Sequence, residues 1–238
     1  MKKLILFLII LFAVCPAYSA TLFYLPSTGA AEVSPAFGSW TAGGTASADR
    51  IRCNTYKIIS AMGNKQVSTL VGAGAEYILC RQYVSDPIAA QTISGTIKGQ
   101  VRCTESNGAV NGTVAVSIRI VSNDGATERG TLLAISASDN TAATPPEMAT
   151  SITNRRLQDV NESASLALTN QTAENGDRIV IELGYREVYA NTNRNASLNF
   201  GDNSASNLPE DDADTNVYNP WVEFSQTIIF PQATVDEF

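Results

Sequence analysis

Asn111–Ser122 reads NGTVAVSIRIVS and Asp177–Tyr189 reads DRIVIELGYREVY, and these two stretches decide the fold. In the first, Val114, Val116, Ile118 and Ile120 share one parity, while Ala115, Ser117, Arg119 and Val121 share the other. Successive side chains of a strand point to opposite faces, so this alternation marks a strand with one core-facing side; a helix would repeat about every 3.6 residues. In the second, Ile179, Ile181, Leu183 and Tyr185 fall inward, and Arg178, Glu182 and Arg186 fall outward as a ladder of alternating charge expected to solvate the sheet. Trp221–Phe230 alternates likewise, with Val222, Phe224, Gln226, Ile228 and Phe230 on one side and Trp221, Glu223, Ser225 and Thr227 on the other. Further strands are expected at Ile51–Ile58, Tyr77–Val84, Thr92–Cys103, Gly130–Ser136, Ala164–Leu168 and Ala196–Phe200.

Turn signals separate these runs. Ser106-Asn107-Gly108, Asn123-Asp124-Gly125 and Asn175-Gly176-Asp177 supply residues that accept positive φ, so neighbouring strands are expected to pair antiparallel. No long stretch carries a helical period; one helical turn is expected at Pro145–Thr153, and Asn191–Asn219, rich in Asn, Asp and Ser, reads as a long loop with one short strand. The prediction is an all-β protein: an antiparallel two-sheet β-sandwich, jelly-roll-like, forming a single domain over residues 20–238.

Met1–Ser19 has the layout of a secretory signal: Lys2 and Lys3, an apolar run from Leu4 to Val14, then small residues at Ala17 and Ser19. The run is shorter than the roughly 20 residues of a membrane-spanning helix, so cleavage after Ser19 is expected, giving a secreted, cell-surface or periplasmic protein. Loss of Lys2 and Lys3 takes the formal charge from -7 to -9, which repels nucleic acid and anionic membrane surfaces at long range. Leu25-Pro26-Ser27-Thr28-Gly29 matches the LPxTG pattern of cell-wall sorting, but it opens the mature chain rather than closing it, and we read it as a chance match.

The chain contains no histidine, which removes Ser-His-Asp and Cys-His machinery, imidazole metal ligands and the commonest general base together. Paired carboxylates need no histidine, and Glu182 with Glu223 is the strand-borne pair that a glycoside hydrolase would use, although both fall on outward parities. An acidic loop, Glu210 to Asp214 with Asp202 upstream, offers oxygen ligands for calcium through Asp202, Asp211, Asp212 and Asp214. Aromatic side chains on an outer sheet face stack on sugar rings, and Trp221, Tyr185, Tyr189 and Trp40 are the candidates; the plainer reading has Trp221 sealing the core edge and Trp40 anchoring an N-terminal segment. After signal removal three cysteines remain, Cys53, Cys80 and Cys103. At most one intrachain bridge can form; Cys53–Cys80 is the preferred pairing, worth about 3 kcal/mol by loop closure.

Four segments carry a resemblance: Leu22–Trp40 (LFYLPSTGAAEVSPAFGSW), Arg81–Arg102 (RQYVSDPIAAQTISGTIKGQVR), Ile118–Leu133 (IRIVSNDGATERGTLL) and Asn219–Phe230 (NPWVEFSQTIIF). They resemble an uncharacterised family of all-β, jelly-roll-like proteins found in bacterial and bacteriophage sequences. The resemblance implies a structural or adhesive component of a particle or surface and supplies no catalytic residues. With the signal-like leader, the expectation is an exported, non-enzymatic module that contacts protein partners or other copies of itself, with carbohydrate recognition as the alternative.

Overall fold

The computed structural model describes residues 19–43, 49–68, 76–108, 110–135, 147–158, 164–187, 195–212 and 217–231; the leader up to residue 18 lies outside them. Along the chain come β1 (Thr21–Tyr24), β2 (Ala42–Gly43), β3 (Arg50–Arg52), β4 (Gly63–Ser68), β5 (Glu76–Val84), β6 (Gln91–Ile93), β7 (Thr96–Glu105) and β8 (Thr113–Val121). They are followed by β9 (Glu128–Leu133), β10 (Thr153–Arg156), β11 (Leu166–Ala167), β12 (Gln171–Ala173), β13 (Arg178–Glu187), β14 (Asn195–Phe200) and β15 (Trp221–Phe224). Every named element among the described residues is a strand. The expected helical turn at Pro145–Thr153 is not formed there: residues 147–152 are irregular and Thr153 opens β10.

The protein is an all-β sandwich. One sheet runs β1-β15-β7-β14-β4, with β10 and β11 along the other edge of β7; the second runs β2-β5-β13-β8-β9, with β3 also on β5; β6 and β12 form a small ribbon. The pairing is antiparallel except at one edge, where β2 and β3 run parallel to β5. The two facing sheets share one core, to which β8 and β13 contribute Val114, Val116, Ile118, Ile120, Ile179, Ile181, Leu183 and Tyr185, while the opposite sheet adds Val101, Cys103, Leu198, Phe200, Val222 and Phe224. Edge-to-face contacts reinforce the core: Tyr83 meets Phe200 across the two layers with centroids 5.4 Å apart, and Phe23 meets Phe224 on the neighbouring strand of its own sheet at 5.6 Å. Such pairs add about 0.5–1.5 kcal/mol beyond the area they bury.

A bulge in β5 explains a side chain whose parity is ambiguous in the sequence. Opposite β13 the register slips, so that Leu183 faces Arg81 and Gly184 faces Leu79, leaving Cys80 as the extra residue. Cys80 and Arg81 therefore both turn inward. Arg81 is accommodated at the sandwich's end, its guanidinium 5.0 Å from the Phe200 ring and donating to the Ser27 carbonyl at 2.8 Å. Leu25–Gly29 is thus a structural crossing segment: Leu25 is buried, the Pro26 carbonyl accepts from the Tyr83 hydroxyl at 2.9 Å, and the Ser27 hydroxyl donates to the Ala61 carbonyl at 2.6 Å.

The second sheet's outer face departs from expectation. Arg178, Glu182 and Arg186 are 6%, 0% and 9% exposed, so the ladder does not solvate the sheet. The segment between β1 and β2 lies across it and converts the outward side chains into a second, polar interior.

Candidate functional site

The polar interior centres on Glu182. Its Oε1 accepts from the Gly38 backbone N–H, the Gln82 amide and the Arg119 guanidinium, each at 2.9 Å, and its Oε2 accepts from the Trp40 indole N–H at 3.0 Å. Arg119 also donates to the Ala36 carbonyl at 2.8 Å and to Glu128 at 2.9 Å. The register explains the convergence, because Glu182 faces Gln82 on one neighbour and Ser117 on the other, with Arg119 opposite Val180 one outward position away. Close approach is permitted by glycine: a Cβ at Gly38 would stand 2.5 Å from the Glu182 carboxylate, and one at Gly184 would lie 1.9 Å from the Ile78 carbonyl and 2.7 Å from the Trp40 ring. Arg178 fastens the same segment farther along, donating to Glu32 and to the Ser85 and Asn123 carbonyls at 2.9, 3.1 and 3.0 Å. Trp40 therefore anchors the N-terminal segment. A carboxylate enclosed by four donors and shut from solvent is a clamp, with its lone pairs committed to the chain.

Glu182 and Glu223 do not form a pair. Each alternates with core residues, Glu182 with Ile181 and Leu183 and Glu223 with Val222 and Phe224, but in opposite sheets. The two carboxylates therefore point away from each other across layers about 10 Å apart, beyond the separation at which two acids flank a glycosidic bond. Glu223 instead lies 3.4 Å from Lys98, which also pairs with Glu210; the Glu210 contact is the main reason the lysine's pKa is raised.

The expected aromatic platform is not assembled either. Tyr185 is wholly buried in the core, and burial pushes its phenol above the ordinary range. Trp221 sits on the outer parity of the other sheet but is 4% exposed, because the loop beyond β14 covers it and its indole donates to the Leu208 carbonyl at 2.8 Å. Tyr189 lies outside the described residues. The acidic loop serves basic side chains: Asp212 accepts from the Arg156 backbone N–H at 2.9 Å and lies 3.4 Å from its guanidinium, while Asp202 accepts from the Ser204 N–H at 2.6 Å. Asp211 follows Glu210 in that loop, and Asp214 lies outside the described residues, among which no group of three potential metal ligands gathers.

The Cys53–Cys80 bridge is not formed; Cys53, Cys80 and Cys103 are buried and not bridged to one another. Arg52 is level with Val84, so Cys53 lies beside Ser85, five positions beyond Cys80 along β5. At about 3.3 Å per residue the pair is far outside disulfide reach. Burial pushes the Cys53 thiol far up and the Cys103 thiol up to about 12, which keeps both protonated and inert.

The feature that periodicity did not mark is the connection between β3 and β4. The strand expected over Ile51–Ile58 stops at Arg52, and Tyr56, Ile59 and Met62 stand 58%, 72% and 40% exposed. The signal was present as a break, since Ile58 and Ile59 are consecutive apolar residues on opposite parities.

No family model matches the chain, and no curated protein matches it. Among solved structures, a CocE/NonD family hydrolase from Staphylococcus aureus aligns with 90% of this chain at 10% identity and a TM-score of 0.46, and the chain spans only 37% of that protein's length. Infectious bursal disease virus, Gx strain, aligns over 72% of this chain and 40% of the viral one at 13% identity and a TM-score of 0.25. Likenesses this loose assign no activity to the chain.

Proposed function

We propose that the protein is an exported, non-catalytic β-sandwich module that works by contact, joining copies of itself or partner proteins in a surface or particle assembly. The observation that carries this reading is the exposed apolar trio Tyr56, Ile59 and Met62 on one connection. Large apolar side chains scattered singly need no explanation, but three within one short connection are a contact surface, and each Å² they bury is worth about 25 cal/mol. The connection is held from beneath. Lys57 donates to the Ala205 carbonyl, the Ser27 hydroxyl reaches both Ser60 and Ala61, and Arg102 contacts the Met62 sulfur at 3.2 Å. A surface already fixed in place loses little conformational entropy on binding.

Sedimentation of the mature chain across a concentration series tests this. Association is expected, and Ile59→Asp is expected to weaken it without changing the monomer's thermal stability. A chain that stays monomeric at every concentration, and behaves identically to I59D, would remove the basis for the reading.

A further inference from the structure

One member of the exposed trio carries a side chain that solvent can alter covalently. Met62 stands immediately ahead of β4 and is 40% exposed. Among the described residues the other sulfurs, those of Cys53, Cys80, Cys103 and Met148, are buried. The Met62 sulfur accepts from the Arg102 guanidinium at 3.2 Å. Arg102 is held in place on β7: it is 5% exposed and lies level with Asn154 on one neighbouring strand and Asn199 on the other, both buried. A thioether sulfur has two lone pairs and is a weak acceptor. The guanidinium takes the lone pair on the buried side, so an oxidant arriving from solvent meets the other.

We propose that Met62 is a site of reversible oxidation by peroxide, that Arg102 restricts the product to one sulfoxide epimer, and that the oxidised trio no longer associates. The outer lone pair attacks one oxygen of hydrogen peroxide. An S–O bond forms, the O–O bond breaks, and the departing hydroxide takes the proton from the transferred oxygen and leaves as water. Sulfur is oxidised by two electrons and the peroxide is reduced. The reverse step needs a thiol reductant and a methionine sulfoxide reductase, each kind of which accepts one epimer. The sulfoxide is polar where the thioether was apolar, and burying it against a partner without a matching donor opposes contact. This last consequence rests on the assembly reading; the oxidation and its stereochemistry do not.

The test treats a chain lacking residues 1–19 with hydrogen peroxide and follows each methionine by peptide mass spectrometry. Met62 is expected to oxidise at least about tenfold faster than Met148, whose sulfur is reached only when the core opens. One kind of stereospecific reductase is expected to restore Met62 completely, and the other to leave the sulfoxide intact. Sedimentation of the oxidised chain is expected to show association weakened about tenfold, recovered on reduction. Met62→Leu has no sulfur there, and peroxide is expected to leave that variant's own association constant unmoved. Arg102→Gln is expected to give both epimers; should R102Q fail to fold, the wild-type epimer ratio decides by itself. Equal rates at Met62 and Met148, or mixed epimers in the wild-type chain, would overturn the site, and unchanged association after oxidation would overturn its control of assembly. An unoxidised chain that never associates sinks the assembly reading and that control together, while the oxidation rates and epimer ratio still decide the site.

Discussion

Replacing Glu182 by Ala withdraws the one acceptor on which four donors converge. Arg119 loses its buried counter-charge and keeps only Glu128 and the Ala36 carbonyl, the Trp40 indole and Gly38 N–H lose their partner, and Gln82 falls back on the Ala36 carbonyl at 3.2 Å. Removing one partner of a buried ion pair costs about 3–5 kcal/mol, and Glu128 places this case at the low end. Two stranded donors add roughly 1 kcal/mol each where water does not reach them. The expected loss is about 5 kcal/mol, a large part of the 5–15 kcal/mol that holds a typical domain together. Glu223→Ala is the control: its partner Lys98 keeps Glu210 and the pair is partly solvated, so less than about 1 kcal/mol is expected. Urea denaturation measures both. Because the clamp fastens the segment carrying Phe37 and Trp40, E182A is also expected to open those sites to chymotrypsin under native conditions. A loss for E182A within about 1 kcal/mol of that for E223A, with the segment still protected, would refute the assignment of Glu182 as a clamp.

Two further outcomes follow from the buried thiols and from the edge of the clamp. Ellman titration of a chain lacking residues 1–19 is expected to find three thiols, silent in the native state at neutral pH and all reactive in denaturant; a single reactive thiol after unfolding would mean that a bridge had formed after all. Glu128 is held below its ordinary pKa: burial pulls it up, but hydrogen bonds from Arg119 and Thr131 outweigh that. A depressed carboxyl contributes stability that is present above its unfolded value of about 4.3 and lost as pH falls through its folded value. Glu128→Gln is therefore expected to be slightly less stable than wild type at neutral pH and equal to it in acid, with a difference below about 1 kcal/mol because the side chain is 43% exposed. Equal stability of the two chains at both pH values would show that the Arg119 contact contributes nothing.

The inward half of the fold was legible because it obeys a local rule. Alternation in β8 and β13 assigns Val114 to Ile120 and Ile179 to Tyr185 to the core, and the structure places them there. The outward half was not, since Arg178 and Glu182 are covered by a segment more than a hundred residues earlier that has no period of its own. The same limit misplaced the aromatic candidates: outward parity makes Trp221 accessible only if nothing roofs it, and the chain from Leu208 does. Cys80 failed for another reason. A bulge changes parity within a strand, and the slip is set by pairing with Leu183 and Gly184 rather than by any residue beside the cysteine.

These long-range coverings also bear on how such a sandwich makes contacts. On the second sheet, residues 32–40 occupy the outer face through Glu182, Arg119 and Arg178. On the first, Trp221, Gln100 and Asn154 are outward yet nearly sunless, at 4%, 1% and 0% exposure. At these positions the outward sheet faces, the usual platforms for sugars or for a second sheet, are thus occupied by the chain itself. Among the described residues the connection bearing Tyr56, Ile59 and Met62 holds three of the five exposed large apolar side chains. A polar substitution there should alter association and leave the fold intact, whereas a substitution beneath the coverings should do the reverse.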